Sequence, residues 1–238
     1  MTVRLAMWSG PRNISTALMR AWENRGDCVV VDEPLYAYYL FQTGLDHPGR
    51  DEVIAAGETD WRAAVAALTA PLPGNPAVHY QKHMTHHLIA QLPRDWIASL
   101  HNVLLIRDPA EVVSSYVRSR ANVVAADIGL VQQSELYDQL GGDVPVIDSA
   151  DFLRAPRAYL QWLCENVGVE FSDAMLHWPV GPRASDGVWA RYWYDAVRAS
   201  TGFEPYRVRH VKLSGAALAA AEQSRPHYER LHAVRVQL

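Results

Sequence analysis

The feature that most constrains the fold is a series of short apolar runs that alternate with helix-patterned segments. Runs rich in β-branched residues, without polar alternation, are typical of strands buried on both faces. Strand-like runs lie at 3–8, 28–31, 77–80, 103–106 and 144–147, and the run at 28–31 is of this β-branched kind. Helical patterns follow the first run, at 15–25, and the fourth, after Asp108 and Pro109. Strand, helix and strand in this order predict a parallel α/β sheet flanked by helices.

The length of 238 residues predicts a single domain, 1–238, with one insertion and a helical C-terminal segment. The segment 43–76 breaks the strand–helix alternation, with loop signals on both sides of a short helix expected at 61–68. We expect this insertion to cover one edge of the sheet, where substrate lids are often built. A further helix is predicted at 157–167, between Pro156 and Gly168.

Composition excludes several functional classes. The net charge of −4 does not favour binding to nucleic acid or to an anionic membrane. The apolar runs are far shorter than the ~20 residues that cross a bilayer, and the N-terminus lacks a signal-peptide pattern. The two cysteines, Cys28 and Cys164, lie far apart in apolar contexts and do not indicate a disulfide framework. We therefore expect a cytoplasmic protein, and the sequence does not indicate its oligomeric state.

The turn after the first strand carries the residues of an anion-binding loop. Ligands of open parallel sheets bind outside the carboxyl ends of the strands. Backbone N–H groups at a helix start, the hydroxyls of Ser15 and Thr16, and the guanidinium of Arg12 can together hold an anion. An ordinary N-cap by Asn13 or Ser15 is the structural alternative. The turn lacks the Gly-Lys-Ser/Thr end of a Walker loop, which disfavours nucleoside triphosphate hydrolysis.

The end of the fourth strand offers a second anion site. Arg107 lies at the strand end, and Ser115 lies eight residues later in the following helix. Both can reach a phosphate beside the first loop. An Arg at a strand end, Pro109 two residues on and a Ser eight residues after the Arg resemble the 3′-phosphate-binding element of sulfotransferases.

The resemblance to sulfotransferases extends over most of the chain. Residues 11–16 are similar to the family's 5′-phosphosulfate loop, with Arg12 in the basic position. Residues 146–169 resemble a family segment that contains Pro156, and 187–189 lie where members place a Gly-x-Trp over the nucleotide. The resemblance implies a P-loop NTPase-like three-layer sandwich. It also implies transfer of a sulfuryl group from 3′-phosphoadenosine 5′-phosphosulfate to a hydroxyl or amine of a small-molecule acceptor, with no required metal. The donor-binding residues that it implies are Arg12, Asn13, Ile14, Ser15, Thr16, Arg107, Ser115 and Trp189.

Several positions depart from the family pattern. Ile14 replaces a glycine, and a β-branched residue does not readily adopt a positive φ. Asn13 replaces the usual Ser, and Ala190 follows Trp189 where a Lys is frequent. These departures keep open the alternative of a catalytically inactive, sulfotransferase-like protein that binds a nucleotide or another phosphorylated ligand.

Sulfuryl transfer needs a base for the acceptor hydroxyl and positive charge on the transferred group. The resemblance implies two candidate bases: Glu33, at the tip of the second strand, where some bacterial members use a carboxylate, and His83, near the end of the third strand, where many members place a catalytic histidine. Arg12 and Lys82 are the candidates for stabilising charge. Of the 22 basic residues only Lys82 and Lys212 are lysines, and codon bias does not readily explain a lysine at position 82.

The histidines and the late aromatic residues permit further hypotheses. His83, His86 and His87 would share one face of a helix, as zinc ligands can. No acidic ligand stands at an obvious spacing, so polar contacts are the favoured interpretation and no metal site is predicted. Aromatic residues at 189 and 192–194 are predicted to belong to a C-terminal helix, where they either stack on an adenine, line an acceptor pocket or form core.

Overall fold

The computed structural model describes residues 2–118 and 123–238. Its strands are β1 (Val3–Ser9), β2 (Cys28–Asp32), β3 (Val78–Met84), β4 (His101–Ile106) and β5 (Val146–Asp148). Its α-helices are α1 (Ser15–Glu23), α2 (Tyr36–Thr43), α3 (Arg50–Ala56), α4 (Trp61–Thr69), α5 (Pro109–Tyr116), α6 (Ala125–Ile128), α7 (Leu130–Gln139), α8 (Ser149–Arg154), α9 (Pro156–Asn166), α10 (Ala190–Trp193), α11 (Asp195–Arg198) and α12 (Gly215–Ala233). Short 3-10 helices lie at Thr85–His87, Asp95–Ser99 and Asp173–Leu176.

The strands form one parallel sheet in the order β2-β3-β1-β4-β5 within the described residues. The chain passes from β1 to the edge strand β2, returns to β3, and then crosses to the other side of β1. The carboxyl ends of β1, β3 and β4 therefore meet at a topological switch point, where open α/β sheets bind ligands. This topology confirms the predicted parallel α/β fold.

The sheet is covered on both faces, which makes the molecule a three-layer sandwich. Side chains of β1 alternate between the layers: Leu5 and Met7 pack against residues of α1 and α9. Ala6 and Trp8 pack in the opposite layer against residues of α5, α7 and α12. Since successive strand residues point to opposite faces, apolar residues at every position bury the strand on both sides.

The third strand is longer than its apolar run. The run ends at Tyr80, but β3 continues through Gln81, Lys82 and His83 to Met84, and all of these residues are buried. Pairing with β1 and β2 on both sides encloses these polar residues, and hydrogen bonds compensate their burial. Lys82 lies beside Asp32 in the β2–β3 register.

The insertion at 43–76 contains a helix that the sequence did not indicate. The predicted helix at 61–68 is present as α4, but residues 50–51, read as loop, begin α3. Val53 of α3 is fully buried, and Glu52 forms an ion pair with Arg191 of α10. The insertion therefore contacts the aromatic C-terminal segment. No helix within 2–118 or 123–238 is long and apolar enough to span a membrane.

Candidate active site

A cavity of about 410 Å³ lies beyond the carboxyl ends of the strands, a volume within the usual range for ligand sites. Sequence-predicted residues in its wall are Arg12, Asn13, Ile14, Ser15, Thr16, Glu33, Lys82, Arg107 and Ser115. Residues from the loop after β1, the end of β2, β3 and α5 thus converge on one space.

The loop after β1 accommodates Ile14 without strain. Ile14 has φ −87°, whereas Arg12 takes the left-handed value of 55°. The Asn13 side chain holds the turn, because its Oδ1 accepts from the Ile14 N–H and its Nδ2 donates to the Leu105 carbonyl. The positive φ of this turn therefore lies at Arg12, two residues before Ile14. The loop therefore leads into α1 with the backbone of Ile14 in an ordinary conformation.

Arg12, Ser15, Thr16, Arg107 and Ser115 form what we call the anion cradle. The Arg12 Nε donates to Ser115 Oγ at 3.0 Å, which joins the β1 loop to α5. Arg107 Nη1 donates to the Arg12 carbonyl at 2.6 Å, and its Nε and Nη2 donate to Glu111 Oε2 at 3.1 and 2.9 Å. These bonds use three of the five guanidinium N–H groups. Two donors of Arg107 remain for a ligand.

The cradle concentrates positive charge. Burial lowers the pKa of Arg12, and the guanidiniums of Arg118 and Arg107 lower it further. Crowded cations of this kind are stabilised by an anion that sits among them. Arg118 also lines the cavity, although the sequence analysis did not single it out. The cradle is therefore suited to a polyanionic ligand.

Asp32, Glu33, Lys82 and Tyr194 form a second unit, which we call the acid–lysine cluster. Lys82 Nζ donates to Asp32 Oδ1 at 2.8 Å, to Glu33 Oε1 at 2.6 Å and to Tyr194 Oη at 2.7 Å. Tyr194 Oη donates to Asp32 Oδ2 at 2.7 Å and accepts from Trp189 Nε1 at 3.1 Å. An ammonium has three N–H donors, and all three are used here.

The cluster shifts the acidity of its members. Burial has the largest effect on Glu33 and raises its pKa. The Lys82 ammonium acts in the opposite direction, the Asp32 carboxylate raises the pKa again, and the net shift is upward. Burial lowers the pKa of Lys82, but Asp32 and Glu33 more than offset this and the net shift is upward. Lys82 is thus held as an ammonium, and the Glu33 carboxyl has a raised proton affinity. Such a group is a suitable general base.

Glu33 also has an unusual backbone, with φ 43°. Among the non-glycine residues described, positive φ occurs at Arg12, Glu33 and Asn75, so two of three are in the cavity wall. Residues held in sparsely populated conformations cluster at functional sites, because the surrounding structure must hold them there. The Glu33 N–H donates to the Lys82 carbonyl at 2.9 Å, which ties this turn to β3.

His83 lies away from the cavity wall. It follows Lys82 in β3, so its side chain points to the opposite face, where it stacks on Trp8 at 4.1 Å. Burial lowers its pKa to about 3, with His79 and Lys82 contributing. A histidine packed into the core in this way has no route to an acceptor, so of the two candidate bases the geometry favours Glu33.

The histidines at 83, 86 and 87 do not share a helix face, contrary to the interpretation that would have made them zinc ligands. His83 belongs to β3, while His86 and His87 lie in the 3-10 helix that follows. The extended backbone at 83 and the tight turn after it break the i, i+3, i+4 geometry. No potential metal-binding cluster of three or more His, Cys, Asp or Glu residues occurs at 2–118 or 123–238.

The aromatic segment contributes differently from the sequence prediction. Trp189 is 8% exposed and packs edge-on against Tyr36 at 5.3 Å, so the structure does not bring it to the cavity wall. Trp193 and Tyr194 line the cavity instead. The expected continuous helix is one turn, α10, followed by α11. Trp189 is the N-cap residue of this single-turn helix, and its indole N–H donates to Tyr194 Oη.

Reasoning from sequence missed several residues of this site. Asp32 stood beside Glu33 at a strand tip, a signal that could have identified it. Tyr36 and His47 reach the cavity from α2 and the insertion, and no local pattern marks these two residues. Tyr194 belonged to the aromatic group that could line an acceptor pocket, but its pairing with Lys82 across 112 positions was not predicted, since only the folded chain brings the two together.

Comparison with known proteins gives consistent results. A family model described as "Sulfotransferase domain" matches residues 3–233. Branched-chain-amino-acid aminotransferase-like proteins 2 and 1 of Arabidopsis thaliana are 34% and 36% identical to the chain over 199 residues, or 82% of its length. The matched region spans 35% and 36% of those plant proteins.

One solved structure supports the fold independently. The sulfotransferase domain of the olefin synthase of Synechococcus PCC 7002 aligns with a TM-score of 0.55 over 93% of this chain and 94% of that one, at 17% identity. At this identity the similarity shows the fold alone, which is the P-loop-like α/β sandwich. Since the family model covers nearly the whole chain, the protein belongs to the sulfotransferase domain family.

Proposed function

We propose that the chain transfers a sulfuryl group from 3′-phosphoadenosine 5′-phosphosulfate to a hydroxyl group of a small-molecule acceptor, with Glu33 as the general base. The observation that carries this proposal is that the anion cradle and Glu33 line the same cavity. The family membership supports the reaction class, and the excess of guanidiniums in the cradle supports an anionic donor.

The residues of the cradle fit such a donor. Arg12, Ser15 and Thr16, with the N-terminal N–H groups of α1, would hold the 5′-phosphosulfate. Arg107 and Ser115 would hold the 3′-phosphate, using the two guanidinium donors that Glu111 and the Arg12 carbonyl leave available. When bound, the donor supplies an activated sulfuryl group.

Glu33 would take the proton of the acceptor hydroxyl as its oxygen forms a bond to sulfur and the bond from sulfur to the 5′-phosphate oxygen breaks. The electron pair of that bond stays on the departing phosphate, and the guanidinium of Arg12 would stabilise the charge there. Lys82 donates to Glu33 Oε1, so Oε2 is the oxygen we assign to accept the proton.

We assign Lys82 the part of a positioning residue. Its three donors are occupied by Asp32, Glu33 and Tyr194, so it holds the base in place and does not contact the transferred group. A compact ammonium on a thin stem fits three partners converging in a buried space. A planar guanidinium does not, which accounts for a lysine in a chain so rich in arginine.

The names of the plant relatives raise a second candidate, aminotransferase chemistry. That chemistry needs a lysine amine that can lose its proton and form an imine. Lys82, the lysine in the cavity wall, is held as an ammonium between two carboxylates. No observation at the site favours this candidate, and the sulfotransferase proposal stands.

Two measurements test the proposal. Calorimetric titration with 3′,5′-adenosine bisphosphate should show stoichiometric binding. Incubation with ³⁵S-labelled donor and a set of simple alcohols and phenols should label a product. Absence of binding at millimolar bisphosphate contradicts the proposed donor. Binding without any transfer would instead support the inactive, nucleotide-binding alternative.

A further inference from the structure

Besides the anion cradle and the acid–lysine cluster, the cavity has a third group of mutually contacting residues, which consists of rings. Tyr36, His47 and His87 line it and form what we call the ring wall. Tyr36 Oη and His47 Nδ1 are hydrogen-bonded at 2.9 Å. The Tyr36 ring stacks on His87 with centroids 4.8 Å apart and planes 8° apart. Trp193 and Met84 add apolar surface to the same cavity.

His87 is buried without hydrogen-bond partners. Its side chain is 1% exposed, and among the described residues neither Nδ1 nor Nε2 has a partner. A neutral imidazole carries one donor and one acceptor, and leaving both unpaired in a buried place is unfavourable. Tyr39 packs on the ring as well, with centroids 4.8 Å apart. The ring is therefore held in place by stacking, and both of its nitrogens are unpartnered in a residue that lines the cavity.

The charges near the ring wall disfavour an anion. Burial lowers the pKa of His87 well below its ordinary value, and His86, His47 and Lys82 lower it further, so the imidazole is neutral. Lys82 is already paired with Asp32 and Glu33, and these two carboxylates outnumber the one ammonium. The guanidiniums of Arg12 and Arg107 belong to the anion cradle, where they donate to Ser115 and Glu111.

We propose that the ring wall is the acceptor subsite, and that the acceptor is an uncharged alcohol or phenol whose second polar atom hydrogen-bonds His87. This inference rests on the proposed function, because it places the acceptor hydroxyl at Glu33. The apolar rings pack against the body of the molecule, and His87 selects among uncharged acceptors by the presence of the second polar atom.

A matched set of three probes tests the subsite: 2-naphthol, 2,6-dihydroxynaphthalene and 6-hydroxy-2-naphthoate. Each carries a naphthol hydroxyl, and they differ in having no second group, a neutral one or an anionic one. Binding is measured by quenching of tryptophan fluorescence, both in the free protein and with saturating 3′,5′-adenosine bisphosphate, and turnover is measured with the labelled donor. His87→Phe keeps a stacked ring and removes both nitrogens. His101→Phe, at the exposed start of β4, is the control.

The wild-type protein should prefer dihydroxynaphthalene to naphthol by about tenfold, and hydroxynaphthoate should bind most weakly. His87→Phe should remove the preference for the second hydroxyl. It should leave the affinity for naphthol within about twofold of the wild-type value and the affinity for the bisphosphate unchanged. His101→Phe should change none of these values. Three results would overturn the subsite: preference for the naphthoate, an equal loss of affinity for all three probes in His87→Phe, or binding of none of the probes. Absence of bisphosphate binding contradicts the proposed donor instead, and the probe affinities of the free protein still decide the subsite.

Discussion

The anion cradle and the acid–lysine cluster both concentrate charge at the same edge of the sheet, but they balance it in different ways. In the cluster, Lys82 is paired with Asp32 and Glu33 inside the protein. In the cradle, Arg12 donates to a neutral hydroxyl while Arg107 and Arg118 crowd its guanidinium. A cluster that satisfies its own charges holds a side chain in a defined place. A cradle with excess charge is stabilised by what it binds.

Replacing the proposed base, Glu33, should separate the two regions most sharply. Glu33→Gln keeps the size of the side chain and removes the proton acceptor, so kcat should fall by about 10²–10⁴-fold. Affinity for 3′,5′-adenosine bisphosphate should not change, because the cradle is intact. Steady-state kinetics and calorimetric titration check the two expectations. Glu165→Gln, on the exposed face of α9, is the matched control, and an equal loss of binding in Glu33→Gln would contradict the separation.

Removing the ammonium should show that the cluster is balanced internally. Lys82→Met leaves Asp32 and Glu33 buried side by side without their cation, which should lower the free energy of unfolding by about 3–5 kcal/mol. Urea denaturation measures the change. Lys212→Met removes an exposed lysine and should stay within about 0.5 kcal/mol of the wild type. Equal midpoints for the two variants would show that Lys82 is not needed to compensate the carboxylates.

A substitution in the anion cradle should change ligand affinity more than it changes the free energy of unfolding. Arg107→Ala removes charge-assisted hydrogen bonds of about 1.5–3 kcal/mol and should weaken bisphosphate binding by roughly 10–100-fold. Arg62→Ala, at an exposed position on α4, provides the control. Unchanged affinity in Arg107→Ala would mean that the 3′-phosphate lies elsewhere, with Arg107 committed to Glu111.

The smallest effect should be on the pH profile. The proposed base Glu33 can accept a proton only when it is ionised, so the rate should fall as pH falls through its pKa, which burial raises above the ordinary value for a glutamate. Because the Asp32 charge also raises that pKa, Asp32→Asn should lower it and move the acidic fall in rate to lower pH. Asp143→Asn, at an exposed position, should leave the profile unchanged. If the acidic fall in rate moved to higher pH in Asp32→Asn, this coupling between Asp32 and Glu33 would be excluded.

The sequence predicted the sheet because its strands are apolar on both faces, a local property that any window of residues displays. It also predicted which segments reach the ligand edge, since Arg107 and Ser115 follow a strand in the chain itself. It placed His83 near the end of the third strand, but it did not predict that the polar residues at 81–83 are buried. Those residues are buried because Asp32, Glu33 and Tyr194 compensate Lys82, and these partners come from other elements.

The loop at Ile14 and the identity of the candidate base show the same contrast between what local sequence determines and what only the folded structure decides. The sequence by itself determined the fold class, the family resemblance and the basic position in the loop, because these depend on the types of residues and their local spacing. Only the tertiary structure decided that Arg12 takes the positive φ, where its carbonyl accepts from Arg107, and that His83 faces Trp8. Backbone strain, side-chain direction and pKa depend on neighbours that are distant in the chain, and no local pattern records them.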